Sequence, residues 1–294
     1  MVAMRRTQEG EIRFGDFWVE DAQTNRRAAF HSEDEFRLRQ RLGEQVAGDA
    51  ASHPVWRDAE AARLCTERLI RLARKQRKRI HVLHISTADE MPLLAAAKDV
   101  ATVEVTPHHL TLSSDDYARL GTLLQMNPPV RSKDHQRAIW QALQSGIVDI
   151  LGSDHAPHTL EEKAKPYPTS PSGMPGVQTL VPVMLDHVNK GRLSLERFVD
   201  LTSHGPARIF GIAQKGRIAE GYDADLTIVD LKKKRRIENK WIESKCGWTP
   251  YDGYEVIGWP QGTFVRGRKV MWDDQILGKS HGQPIKFVEA LPAL

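Results

Sequence analysis

The segment Gly146–Lys163, "GIVDILGSDHAPHTLEEK", runs from an apolar stretch straight into Asp154, His155 and His158. A short apolar run of this kind fits a strand buried on both faces, with the polar groups standing at its carboxyl end. Three earlier stretches share the plan: "RRAAFHSE" from Arg26, "RIHVLHIS" from Arg79 and "ATVEVTPHH" from Ala101. Each ends in side chains capable of chemistry, and each leads into helical sequence or a loop. Ahead of the second lies "DAEAARLCTERLIRLARKQRK", Asp58–Lys78, whose Ala, Leu and Ile recur at three- and four-residue spacing opposite Arg and Lys. This is the order of βα units with parallel strands. Barrels and doubly wound sheets both place active sites at the carboxyl ends of such strands. Neither GxGxxG nor a phosphate-cradling GxxxxGK motif occurs, so the α/β barrel is the expected architecture.

The rest of the chain fills in this frame. Beyond Gly176, "VQTLVPVMLDHVNKG" and "SLERFVDLTSHGPARIFG" read as helices. From about Gly216 the texture changes: "KGRIAEGYDADLTIVDLKKKRRI" and "GTFVRGRKVMW" alternate with period two between glycine turns, as half-exposed strands do. The expected division is an atypical segment 1–25, a partial (β/α) barrel over 26–215 and a small β-rich part over 216–294.

Composition narrows the chemistry. The chain has 294 residues, 40% hydrophobic and 27% charged, enough for a sizeable core. No apolar run approaches the ~20 residues that span a bilayer, and "MVAMRRTQEGEIRFGDFWVED" has no signal-peptide core, so a cytoplasmic enzyme with no membrane association is expected. Cys65 and Cys246 form no CxxC pair, which leaves any metal to histidine and carboxylate. The net charge of +4 comes from short clusters such as "RLARKQRKR", read as the exposed end of a helix, and "LKKKRR", which follows a strand-like run. No nucleic-acid partner is expected from them.

The four strand ends offer His31 with Glu33 and Asp34, then His81 and His84, then His108 and His109, then Asp154, His155 and His158. A zinc-type ion needs three or four N or O donors within ~2.0–2.2 Å, and strand ends of a parallel barrel aim at a common point. A carboxylate beside such an ion can also take the proton of the water it activates. Asp154 fits that double role, or it caps the following turn while His155 and His158 bond to it. Asn127 in "LLQMNPPVRSK" is either part of a stiff turn or an amide that reads donor and acceptor edges of a cyclic amide or imide. "SPSGMPGVQ" is a plain loop or a source of exposed backbone amides for a planar ligand.

Taken in order, "HSEDE", "HVLHIST", "VTPHHL", "NPPVR", "SDHAPHTLEEK" and "GMPG" resemble the carboxyl-terminal half of a dihydroorotase of the metal-dependent amidohydrolase superfamily. "GRIAEGYDADLTIVD" resembles the small β domain that accompanies these barrels. The resemblance implies reversible interconversion of N-carbamoyl-L-aspartate and dihydroorotate in pyrimidine biosynthesis, with one or two Zn2+ ions. It implies His31 and His84 as metal ligands on the fifth and sixth barrel strands, and Asp154 on the eighth as ligand and general base or acid. Asn127, His158 and the Gly176 loop match substrate-binding positions.

The family's first-strand HxH motif, the arginine after it and the bridging lysine or aspartate of the fourth strand have no counterpart here. About four of eight strands are therefore expected in this chain, as in a truncated product, one with a wrongly called start, a frameshifted one or one completed by a partner, and little activity is expected of it alone. Two further readings stay open: an allantoinase- or hydantoinase-like cyclic amidase, and a non-catalytic scaffold for a carbamoyltransferase. Expected partners are the small-molecule substrate and either a second copy or that carbamoyltransferase.

Overall fold

A computed structural model describes residues 27–279 and 281–288, so the expectation for segment 1–25 lies outside the described residues. The four apolar runs form strands β1 (Ala28–Phe30), β2 (Ile80–Val82), β3 (Ala101–Val105) and β4 (Ile150–Leu151). They pair in chain order as one parallel sheet, with Phe30 opposite Val82, Val82 opposite Val103 and Val105 opposite Leu151. Both faces of β2 and most of β3 are buried, as expected for strands covered on two sides.

The crossover from β1 to β2 contains helix α1 (Ala59–Gln76). Asp58 starts it by accepting the Ala61 N–H, and Arg77 ends it in the left-handed conformation. Ala62, Thr66, Leu69, Ile70 and Ala73 form its buried stripe, packed into the core that holds Ile80, Val82, Val103 and Val105. Full burial of each Leu or Ile side chain stabilises by about 1.5–3 kcal/mol. Helix α2 (Lys133–Gln144) leads to β4, and α3 (Leu160–Lys163) and α4 (Leu180–Asn189) follow it. The α/β architecture is the expected one, with four parallel strands among the described residues.

The period-two sequence forms a second, antiparallel sheet of β5 (Leu226–Arg236), β6 (Glu255–Val265), β7 (Arg268–Trp272) and β8 (Gln275–Ile276), paired in that order. "LKKKRR", expected to follow a strand, lies within β5, which a register shift between Asp230 and Lys234 carries through the basic run. The two sheets meet where β6 packs on α4. A Cβ at Gly258 would stand 2.6 Å from the Leu185 Cβ, so only glycine permits this approach. No helix among the described residues is long and apolar enough to cross a membrane.

Candidate active site

His31 follows β1 directly, and His84 lies two residues beyond β2. Parallel pairing of the two strands brings the rings together, with His31 Nδ1 and His84 Nε2 3.1 Å apart. His31 Nε2 lies 2.8 Å from Glu33 Oε2, a carboxylate whose side chain is 1% exposed. Arg57 donates to the same oxygen at 2.6 Å. Burial alone would raise the Glu33 carboxyl, but the His31 hydrogen bond and the Arg57 charge outweigh it and hold it down to about 2. Glu33 therefore stays ionised, fixes the proton of His31 on Nε2 and leaves the Nδ1 lone pair for a ligand.

His84 is buried, and burial, reinforced by His31 and His109, pushes its imidazolium down to about 3. Its Nδ1 has no hydrogen-bond partner. A neutral ring can carry its proton there and present a second lone pair at Nε2, so the two facing nitrogens suit one ion with Zn–N bonds of ~2.0–2.1 Å. His84 also holds φ at +33°, and Asp154 at +43°, conformations sparsely populated by residues other than glycine. Strain of this kind at two strand ends of one sheet is characteristic of working sites.

Asp154 enters through β4. Burial, then the charge of Glu104, raises its carboxyl to about 6, with His31 opposing. Glu104, the one charged residue of β3, accepts the His84 N–H at 3.3 Å. Its carboxylate passes beneath Gly152, where an added Cβ would lie 2.3 Å from the Glu104 Cδ. The expected set of His31, His84 and Asp154 is thus only partly assembled. The two imidazoles touch, whereas among the described residues no three of His, Cys, Asp and Glu converge tightly enough to hold a metal ion.

His81, His108 and His109 are held inside the fold. His81 bonds to Thr102 inside the sheet, His108 is buried against His109, and His109 bonds to Thr106 and the Pro128 carbonyl. Asp34 caps a helical turn and pairs with Arg68. Arg131 spends its guanidinium on Ser86 and the carbonyls of Arg57 and Asp58.

Asn127 follows a buried run and precedes a cis peptide to Pro128. His158 is half-buried, its Nδ1 3.3 Å from Glu162, while its carbonyl accepts the Trp248 indole N–H at 2.7 Å. Gly176 donates its amide to His155 Nδ1 at 3.1 Å. A Cβ there would stand 2.5 Å from the Ser153 carbonyl oxygen, so its glycine is required by packing. Beside it a cavity of about 260 Å³ opens between His155, Gly176 and Gln178 on one side and Ile242 and Glu243 on the other.

Behind these loops sits Lys163, 1% exposed, donating to the carbonyls of Pro171 at 2.8 Å and Gln125 at 3.3 Å. One ammonium thus ties together the loops bearing Asn127, His158 and Gly176. Sequence reasoning missed Arg57, His53, Glu104 and this role of Lys163. Glu104 alone left a signal, as a carboxylate inside an otherwise apolar strand.

The amidohydrolase family model matches residues 41–270. The chain belongs to the amidohydrolase family. A dihydroorotase of Halobacterium salinarum is 41% identical over 238 residues, covering 81% of this chain and 56% of that protein. One of Pyrococcus furiosus is 42% identical over 220 residues, covering 74% of this chain and 51% of its own. This amidohydrolase chain therefore spans little more than half the length of the curated relatives it matches. Among solved structures, the L-hydantoinase (dihydropyrimidinase) from Arthrobacter aurescens superposes with a TM-score of 0.84 at 32% identity, over 88% of this chain and 60% of that one.

Proposed function

We propose that this chain carries the His31, His84 and Asp154 side of a metal-dependent cyclic amidohydrolase site, and that its reaction is the interconversion of dihydroorotate and N-carbamoyl-L-aspartate. The observation that carries the reading is the facing pair of imidazole nitrogens, 3.1 Å apart, backed by the buried Glu33–Arg57 pair. Dihydroorotases at 41% and 42% identity favour this ring over hydantoin.

His31 Nδ1 and His84 Nε2 would hold a zinc-type ion, with Asp154 drawn in as a third donor. Such an ion, when bound, supplies Lewis acidity at the ring carbonyl and lowers the pKa of water toward ~7. Asp154, raised to about 6, is mostly ionised at neutral pH yet close enough to it to accept and return a proton. In ring opening it takes a proton from the attacking water and delivers it to the ring nitrogen as the C–N bond breaks; ring closure runs the same transfers backward. Asn127 and His158 bind the ring and carboxylate, and the Gly176 loop borders them.

The test is an assay of the zinc-supplemented protein on dihydroorotate, allantoin and hydantoin, with binding of each ligand measured by calorimetry. Binding and opening of dihydroorotate in preference to the others, with opening abolished in Asp154→Asn, supports the reading. Preference for allantoin or hydantoin moves the chain to another cyclic amidase, and retention of zinc without binding of any of the three leaves a scaffold.

A further inference from the structure

A chain of hydrogen bonds behind Asn127 decides which edge of its amide a ligand meets. His53 is 1% exposed, and its Nε2 lies 2.9 Å from the Met126 carbonyl oxygen and 3.0 Å from Asn127 Oδ1. A backbone carbonyl can only accept, so Nε2 carries the proton and donates to both oxygens. The other ring nitrogen, Nδ1, is then an acceptor, and the Tyr167 hydroxyl stands 3.4 Å from it. Burial, followed by the Arg57 charge, pushes the His53 imidazolium down to about 4, which keeps the ring neutral and this tautomer in place at pH 7. With one Oδ1 lone pair engaged from behind, Asn127 offers its two Nδ2–H donors and a single remaining lone pair.

We infer that His53 is a positioning residue that locks the Asn127 amide with its NH2 edge toward the ligand, so that this subsite favours an acceptor oxygen, carboxylate or carbonyl, over a ring N–H. The inference rests on the reading of Asn127 as a substrate-binding residue and sharpens it. Sequence alone allowed the amide to present either edge; the His53 proton favours one. A carboxylate gains most, because a charged acceptor strengthens each hydrogen bond, whereas a ring N–H would face the two donors and compete for a single remaining lone pair.

The experiment uses the full chain, zinc-supplemented and labelled with 15N, with N-carbamoyl-L-aspartate as the probe. Long-range 1H–15N spectra are expected to show His53 protonated on Nε2, and the probe is expected to shift the Asn127 Nδ2–H2 signals. His53→Leu should weaken probe binding by about 10- to 100-fold and move the Asn127 amide signals, while His53→Gln, whose amide can donate to the same oxygens, should stay within about threefold. A proton on Nδ1, or His53→Leu with unchanged affinity and unmoved Asn127 signals, overturns the inference. So does a folded His53→Gln as weak as the leucine variant. If the tautomer and the Asn127 response to His53→Leu are as expected while the wild-type protein binds neither this probe nor dihydroorotate, the amidohydrolase reading fails and the orientation of Asn127 stands.

Discussion

Lys163 offers a prediction whose size follows from its surroundings. Its ammonium has two carbonyl oxygens for company, and no carboxylate among the described residues pairs with it. Burial pushes it from the ordinary 10.5 down to about 8. The folded protein thus releases this proton before the unfolded chain does, so between about pH 8 and 10.5 the unfolded state holds more protons and stability rises with pH. Below about 8 the cost of burying the charge is present in full; above 10.5 it is gone. Over that interval, at about 1.36 kcal/mol per pH unit, the gain is about 3 kcal/mol. Lys163→Met keeps the length of the side chain and removes the titration. At pH 7 it relieves that cost but forfeits two hydrogen bonds from a charged donor, worth about 1.5–3 kcal/mol each, so its stability should lie near wild type or somewhat below. Urea unfolding of both proteins from pH 7 to 10.5 provides the measurement. The wild type should pull ahead by about 3 kcal/mol across the series, since the tyrosines and cysteines titrate alike in both. Parallel stability curves would show that Lys163 is not a buried cation and would refute the argument.

Three other substitutions probe the site. Glu33→Gln strands the Arg57 charge and should cost about 3–5 kcal/mol in chemical denaturation; zinc affinity, read by chelator competition, should fall about 10- to 100-fold, and an unchanged affinity would sever Glu33 from the His31 donor. Gly152→Ala drives a methyl into the Glu104 carboxylate and should cost about 1–3 kcal/mol, much of it recovered in the double variant with Glu104→Ala; strict additivity in that cycle would disprove the contact. Trp248→Phe leaves the His158 carbonyl without its indole donor, predicting a loss of about 1–3 kcal/mol and faster amide exchange over residues 154–159; unaltered exchange there would uncouple the β5–β6 connection from the site.

How far the sequence reaches can be judged residue by residue. The four parallel strands and α1 were legible because each depends on neighbours along the chain: an apolar run, a stripe at helical spacing. His31, His84 and Asp154 could be named as candidates from their places after such runs. Their different situations could not, because Glu104 lies 20 residues from His84 and its charge acts on Asp154 only once β3 and β4 are paired. The same limit hid His53, whose partners Asn127 and Tyr167 are 74 and 114 residues away, and Arg57, which reaches back 24 residues to Glu33. It also hid the hydrogen bond from the Gly176 amide to His155, 21 residues away.

The sequence by itself determined the strand–helix order and the kinds of side chain at each strand end, since local apolar periodicity and capping are enough to set them. Only the tertiary structure decided which histidines face one another and which are buried hydrogen-bond partners. Burial and distance across strands set protonation, tautomer and free lone pairs, and neither quantity exists until the crossovers have closed.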